Sequence, residues 1–352
     1  MPESVQDAIE AAGSPIRLLW RDRGETWMPF RVPREHRGWR AEQAARHETV
    51  ALSDLSFHMT DTEFTGPDAL RLLSDFGVND LGDFAVGQAK QYAPVTSEGL
   101  IVTDGILLRT APESFLLTGV ATSQSWLCFH ARQGRYDVEW STSPNFASRT
   151  DDPELFRYQV QGPAALALVE KVFGGPLPTT RFFHAADVTL GGRAFRALRH
   201  GMAGQPGYEF IGDWAHHEHV LDAFLIAGEE FGLERVGGLA YPTAGVESGW
   251  IPTPTAAIYT DPDLVDYRRT LPALSFEGKN PHYGSHYADD IRSTTSPPPN
   301  SATRDSSRST TTSSVETRCS RPRNVRTARR SPSSSTACRC ASSSATASTP
   351  TP

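Results

Sequence analysis

The pattern Gly66-Pro67-x-Ala69-Leu70-x-Leu72 returns as Gly162-Pro163-x-Ala165-Leu166-x-Leu168, 96 residues later. Each copy follows a strand-like segment and opens a stretch whose apolar residues recur at helical spacing. Glycine supplies the tight turn, and proline suits the first helical position because its missing N–H has no intrahelical partner there. A strand-to-helix junction repeated at one offset predicts two related α+β units. Around them, VQDAIEAAG, REHRGWRAEQAARHE, SQSWLCFHARQG and HEHVLDAFLIAGEEFGL read as helices. HMTDTEFTG, QAKQYAPVT, GLIVTDGILLRT, ESFLLTGV, RYDVEWS, DVTLGGRAFRALRHG and YEFIGDW read as strands.

The material for these units ends near residue 292. From Ser293 onward 45 of 60 residues are Ser, Thr, Pro or Arg, with no Gly, Leu, Ile, Phe, Met, Trp or Tyr to bury. The expected division is a first α+β unit over 1–150, a second over 151–292, and a disordered tail over 293–352. Charge divides likewise, −14 before Ser293 and +7 after it. An acidic body argues against nucleic acid as a partner. No stretch approaches 18 apolar residues and no signal peptide opens the chain, so no membrane partner is expected. Cys128 is alone in the body, while Cys319, Cys338 and Cys340 lie in the tail. That usage points to the cytoplasm rather than a disulfide framework.

Several templates for chemistry fail. His216, His217 and His219 read as a solvated helix face without the further ligands zinc needs, so no metal is expected. The loop GMAGQPG lacks the order of a phosphate cradle, and no nucleophile elbow precedes a helix. What remains is a series of polar residues in turn-rich sequence: Gln91-Tyr92, Asp104, Arg199-His200, Tyr208-Glu209, Tyr241 and Glu247 to Trp250.

That series resembles a family. RHGMAGQPGYEFIG, AYPTAGVESGWIPTPTAAIYT and KQYAPVTSEGLIVTDGI are similar to the tetrahydrofolate-dependent aminomethyltransferase superfamily, which includes the glycine-cleavage T-protein. Within it they most resemble the bacterial aryl O-demethylases of vanillate and syringate, over about residues 15–292. The resemblance implies a methyltransferase that O-demethylates a methoxylated aromatic, with tetrahydrofolate as methyl acceptor and cofactor. Glu209 matches the carboxylate that clamps the pterin, and Asp104 the acidic residue near the reacting nitrogen. Glu247 and Tyr92 are expected to line the same pocket. Tyr241 falls at the catalytic tyrosine that meets the leaving aryl oxide. His58 matches a histidine that meets the substrate's ring hydroxyl, and Trp250 is expected to stack on the ring.

One departure leaves the substrate open. Where vanillate demethylases have Gly-Arg-Ala, this chain has Gly119-Val120-Ala121. Valine cannot pair with a benzoate carboxylate, so either another cation such as Arg109 serves or the substrate is less charged. Aminomethyl transfer, sulfonium demethylation and folate binding without catalysis are the alternative readings.

The tail itself reads as a frameshift product. Reading each codon from its third base permits YYLTPAELGYAGLVKVDHDFVGRDAL between Ser293 and Cys319. That string is similar to the family's continuation, whose β-rich C-terminal domain this chain is then expected to lack.

Overall fold

The computed structural model describes residues 2–21, 32–146, 148–202, 204–248, 255–282 and 287–295. Almost all of the expected tail lies outside them. In chain order the first elements are α1 (Val5–Ala12), α2 (Pro15–Leu19), α3 (Trp39–Glu48), β1 (Val50–Asp54), β2 (Thr60–Thr65) and α4 (Ala69–Phe76). There follow β3 (Ala89–Tyr92), β4 (Gly105–Ala111), β5 (Ser114–Gly119), α5 (Ala121–Ala131) and β6 (Glu139–Ser143). The second repeat supplies β7 (Leu155–Gln161), α6 (Ala165–Phe173), β8 (Ala185–Leu190), β9 (Arg193–Arg199), β10 (Gly207–Asp213) and α7 (His217–Gly228). The chain then adds β11 (Leu233–Val236) and the short helices α8 (Thr243–Glu247), α9 (Val265–Thr270) and α10 (Phe276–Lys279). The architecture is α+β, as the repeat implies.

Two sheets carry the repeat. One runs β3-β4-β5-β2-β6, the other β8-β9-β10-β7-β1-β11, so the first five strands of each correspond in order. The strand that completes each sheet comes from just before the other repeat. β1, early in the chain, pairs with β7, and β6 pairs with β2. Helices α4 and α5 cover the first sheet around Phe64, Leu72, Phe115 and Leu127. Helices α6 and α7 cover the second around Phe156, Val160, Phe210 and Phe224. A third cluster joins α1 and α2 to α9 through Val5, Leu19, Trp126 and Tyr267, tying the chain's start to residues near 270.

The Gly-Pro junctions match in detail. Gly66 and Gly162 have φ of +131° and +134°. A Cβ there would stand 2.6 Å from Asp137 O and 2.7 Å from Thr49 O, so only glycine fits. Both helices start later than a proline at the first position predicts. The Asp68 and Ala164 amides donate to those same carbonyls of the neighbouring segment, and the helical ladder begins at Leu72 N and Leu168 N.

Two elements begin later than the sequence predicts. In GLIVTDGILLRT the strand covers only Gly105–Ala111, because Val102 N donates back to Pro94 O. In REHRGWRAEQAARHE the helix starts at Trp39, because buried Glu42 accepts the amides of His36, Arg37 and Gly38 in a turn.

The two repeats meet face to face. Gln88 bridges His184, and Ala89 N donates to Phe183 O while Ala185 N donates to Gly87 O, both at 2.7 Å. Gln88 and His184 are themselves 96 residues apart. Like positions in contact are the mark of a two-fold arrangement. Ala89, Leu108, Leu116 and Leu198 form the apolar part of this junction.

Candidate active site

The polar part of the junction is a buried charge cluster. Arg157 on β7 reaches across from the six-stranded sheet to Asp61 on β2 (2.9 Å) and Thr118 Oγ1 on β5 (2.9 Å). Its other terminal nitrogen donates to Glu209 Oε1 on β10, the adjacent strand. Arg157 and Glu209 side chains are 6% and 5% exposed, so both charges are largely withdrawn from water. Burial alone would lower the Arg157 pKa, but Asp61 and Glu209 outweigh it and hold the guanidinium above its usual range. Glu209 Oε2 faces His200 Nδ1 at 3.6 Å, beyond hydrogen-bond length. Burial lowers the His200 pKa, with the Glu209 charge opposing.

Tyr241 and His58 stand beside this cluster. Their rings are edge to face with centroids 4.9 Å apart. Burial first, then the Glu209 carboxylate, hold the Tyr241 hydroxyl above the usual tyrosine range, against Arg46 and Arg157. The same desolvation, helped by the Arg157 charge, pushes His58 down to about 3. At neutral pH both are therefore uncharged, and each retains a proton it can donate.

The segment carrying Tyr241 is anchored from α3. Glu42 Oε2 accepts Gly237 N at 2.8 Å, and Arg46 Nη2 donates to Ala240 O at 3.3 Å. Both anchors are buried, Glu42 at 0% and Arg46 at 1% exposure.

The other expected residues are distributed more widely. Asp104 accepts Gln91 Nε2 at 2.5 Å at the start of β4. From there the connection to Glu209 runs through β4 and β5, where Gly105 pairs with Gly119, to Thr118 and Arg157. Glu247 belongs to a network facing α3, accepting Gln43 at 2.5 Å, His47 at 2.8 Å and Arg46 at 3.3 Å. Tyr92 stands apart. It is fully buried in the core of the first unit, packed on Gly77, with its hydroxyl donating to Leu73 O. Trp250 lies outside the described residues. Arg109 is taken up by the carbonyls of Phe84 and Pro112, and Val120 caps α5.

Glu209, Tyr241 and His58 are thus the residues brought together, with Asp61, Arg157, Thr118 and Arg46 added by the structure. The sequence held one signal for the additions. At the repeat offset Asp61 aligns with Arg157, placing opposite charges at one position of two strands. Among the described residues no group of three or more His, Cys, Asp or Glu is arranged to hold a metal ion. Nor is any helix there long and apolar enough to cross a membrane.

The acceptor at this site suits a reduced pterin. Such a ring presents an N–H and an amino group side by side, both donors, and needs a buried acceptor. Glu209 Oε1 is held by Arg157, while Oε2 has no partner within hydrogen-bond length among the described residues.

Comparison with known proteins agrees with the resemblance seen in the sequence. Residues 20–255 match the family described as the GCVT N-terminal domain. The syringate O-demethylase of Sphingobium sp. is 38% identical over 292 residues, 83% of this chain and 63% of the relative. The sesamin methylene transferase of Sinomonas sp. is 30% identical over 256 residues, 70% of this chain and 54% of the relative. The chain therefore spans less than two thirds of either relative's length. Among solved structures, aminomethyltransferase T of the glycine cleavage system from Bartonella henselae superposes with a TM-score of 0.53. It shares 21% identity and covers 69% of this chain and 61% of its own, a likeness of fold.

Proposed function

Because this chain belongs to the aminomethyltransferase (GCVT) family of one-carbon transferases, we propose that its junction site demethylates a methoxylated aromatic with tetrahydrofolate as acceptor. The observation that carries the reading is the meeting of Glu209, Tyr241 and His58, from three distant segments, around one buried cluster. Bound there, tetrahydrofolate supplies the nitrogen that takes up the methyl group.

The chain's own residues bind, orient and stabilise charge. Glu209 accepts the paired donors of the pterin edge, in a site dry enough for that bond to count. Asp104 is assigned to the same cofactor, nearer the reacting nitrogen. Holding donor and acceptor in line supplies much of the rate in a displacement of this kind. As the nitrogen–methyl bond forms and the methyl–oxygen bond breaks, the latter's electron pair goes to the aryl oxygen, whose conjugate acid has a pKa of about 10, like tyrosine's. The proton lost from the nitrogen ends on that oxygen to give the phenol. Tyr241 keeps its proton, so it serves as a hydrogen-bond donor to that oxyanion rather than as a strong acid. Neutral His58 meets a hydroxyl on the ring. Trp250 is assigned to ring stacking by resemblance.

Syringate O-demethylase supports an aryl methyl ether as the substrate class. Val120 and the engaged Arg109 favour a substrate that does not depend on a carboxylate-pairing cation at those positions. The test is methyl transfer from syringate, vanillate and uncharged methoxyarenes to tetrahydrofolate, reading both the phenol and 5-methyltetrahydrofolate. Binding of tetrahydrofolate without any product would leave a folate-binding protein. Turnover only with aminomethyl or sulfonium donors would reassign the substrate. The division at residues 150 and 292 and the shifted-frame reading after Arg292 stay with this proposal. Resequencing the gene across codon 292 decides the latter.

A further inference from the structure

We propose that Arg157 is the positioning residue of this site, setting the Glu209 carboxylate for tetrahydrofolate while itself anchored to the opposite repeat. The inference rests on the folate reading and goes beyond it by naming what aims the clamp.

Three observations converge on Arg157. It is 5% exposed, yet its terminal nitrogens are spent on three side chains from three strands in both sheets. The fork geometry of a guanidinium permits this, and a lysine ammonium on a flexible stem does not reproduce it. Second, Arg157 engages only Oε1 of Glu209, leaving Oε2 facing His200 at 3.6 Å. One oxygen is fixed and the other is open to a ligand. Third, the far end of the fork is held by Asp61 and by Thr118, whose hydroxyl itself donates to Asp61 at 2.5 Å. Glu209 therefore takes its orientation from the first repeat although its strand belongs to the second.

The charges also add up usefully. Glu209 and Asp61 together exceed Arg157 by one negative charge, so the buried cluster favours a ligand edge made of donors. Around it stand Arg46 on the Tyr241 side and uncharged His58 and His200.

The experiment is calorimetric titration of the full chain with tetrahydrofolate under anaerobic conditions, for Arg157→Lys, Glu209→Gln and the double variant. Arg157→Lys is expected to weaken binding about tenfold, the worth of one well-aimed charge-assisted hydrogen bond. In the Glu209→Gln background the same change is expected to have almost no further effect, because nothing remains for Arg157 to aim. A merely structural role would weaken both backgrounds equally and overturn the inference, as would unchanged affinity in Arg157→Lys. Should Arg157→Lys not fold, Thr118→Val removes one anchor of the fork without altering charge. It should weaken binding about threefold, and an unchanged affinity there overturns the inference equally. Failure of the unaltered chain to bind tetrahydrofolate overturns both the inference and the folate reading. Binding by the unaltered chain that only Glu209→Gln weakens removes the inference alone.

Discussion

Asp61 and Arg157 occupy the same position in the two repeated strands, 96 residues apart, and are ion-paired to each other at 2.9 Å. The repeat thus places a carboxylate and a guanidinium at the centre of its own junction. Gln88 and His184, also at equivalent positions, meet further along it through a backbone bridge. A pair of like strands packed around a two-fold brings equivalent positions together, and opposite charges there give attraction where identical ones would repel. Glu209 and Tyr241 then build on that centre.

Tyr241→Phe should leave tetrahydrofolate affinity intact and lower methyl transfer on the order of 10²–10³-fold, as loss of one oxyanion donor does. The ring and its contact with His58 stay in place. Single-turnover assays beside calorimetry separate the two quantities. Equal turnover in the Phe variant would remove Tyr241 from the chemistry.

Glu209→Gln should weaken tetrahydrofolate binding at least about tenfold while Arg157 keeps Asp61 as partner. An amide offers one acceptor and two donors where the carboxylate offers acceptors alone. Unchanged affinity would mean the pterin is held elsewhere.

Stability should fall on acidification from the neutral range. Burial holds both His58 and His130 at about 3 against an ordinary value of 6.5. The folded rings stay neutral while the unfolded chain takes up protons, so stability is complete above about pH 6.5 and drains away as pH drops towards about 3. Each ring contributes a slope of about 1.4 kcal/mol per pH unit. His130 stacks on Phe76 at 3.8 Å, so His130→Phe keeps a ring there and should flatten the dependence. Urea midpoints measured at pH 7, 6 and 5 check this; identical slopes for the two proteins would contradict it.

Gly162→Ala should destabilise by about 1–3 kcal/mol, because the new methyl meets Thr49 O at a φ that alanine avoids. Gly66→Ala should behave alike against Asp137 O. Thermal melts of both variants are the measurement. A neutral effect at either would show that the junction relaxes at little cost.

Much of the fold was legible because its signals are local. The Gly-Pro junctions, the helical spacing of Leu72 or Leu168 and the alternation in β2 each depend on neighbours a few residues away. β1 and β11 were not legible. They are four or five residues long, and what makes them strands is pairing with each other and with β7.

The site divides along the same line. Glu209, Tyr241 and His58 were named from motif strings, yet nothing local told that Tyr92 turns its hydroxyl into the core towards Leu73 while Glu209 faces Arg157. Alternation assigns a residue to one side of a strand, but which side meets the other sheet follows from how the sheets stack. Sequence alone determined two like units and the chemistry available to them. The tertiary structure decided which groups share the buried junction, because Asp61, Arg157 and Glu209 meet only where separate strands from both sheets converge.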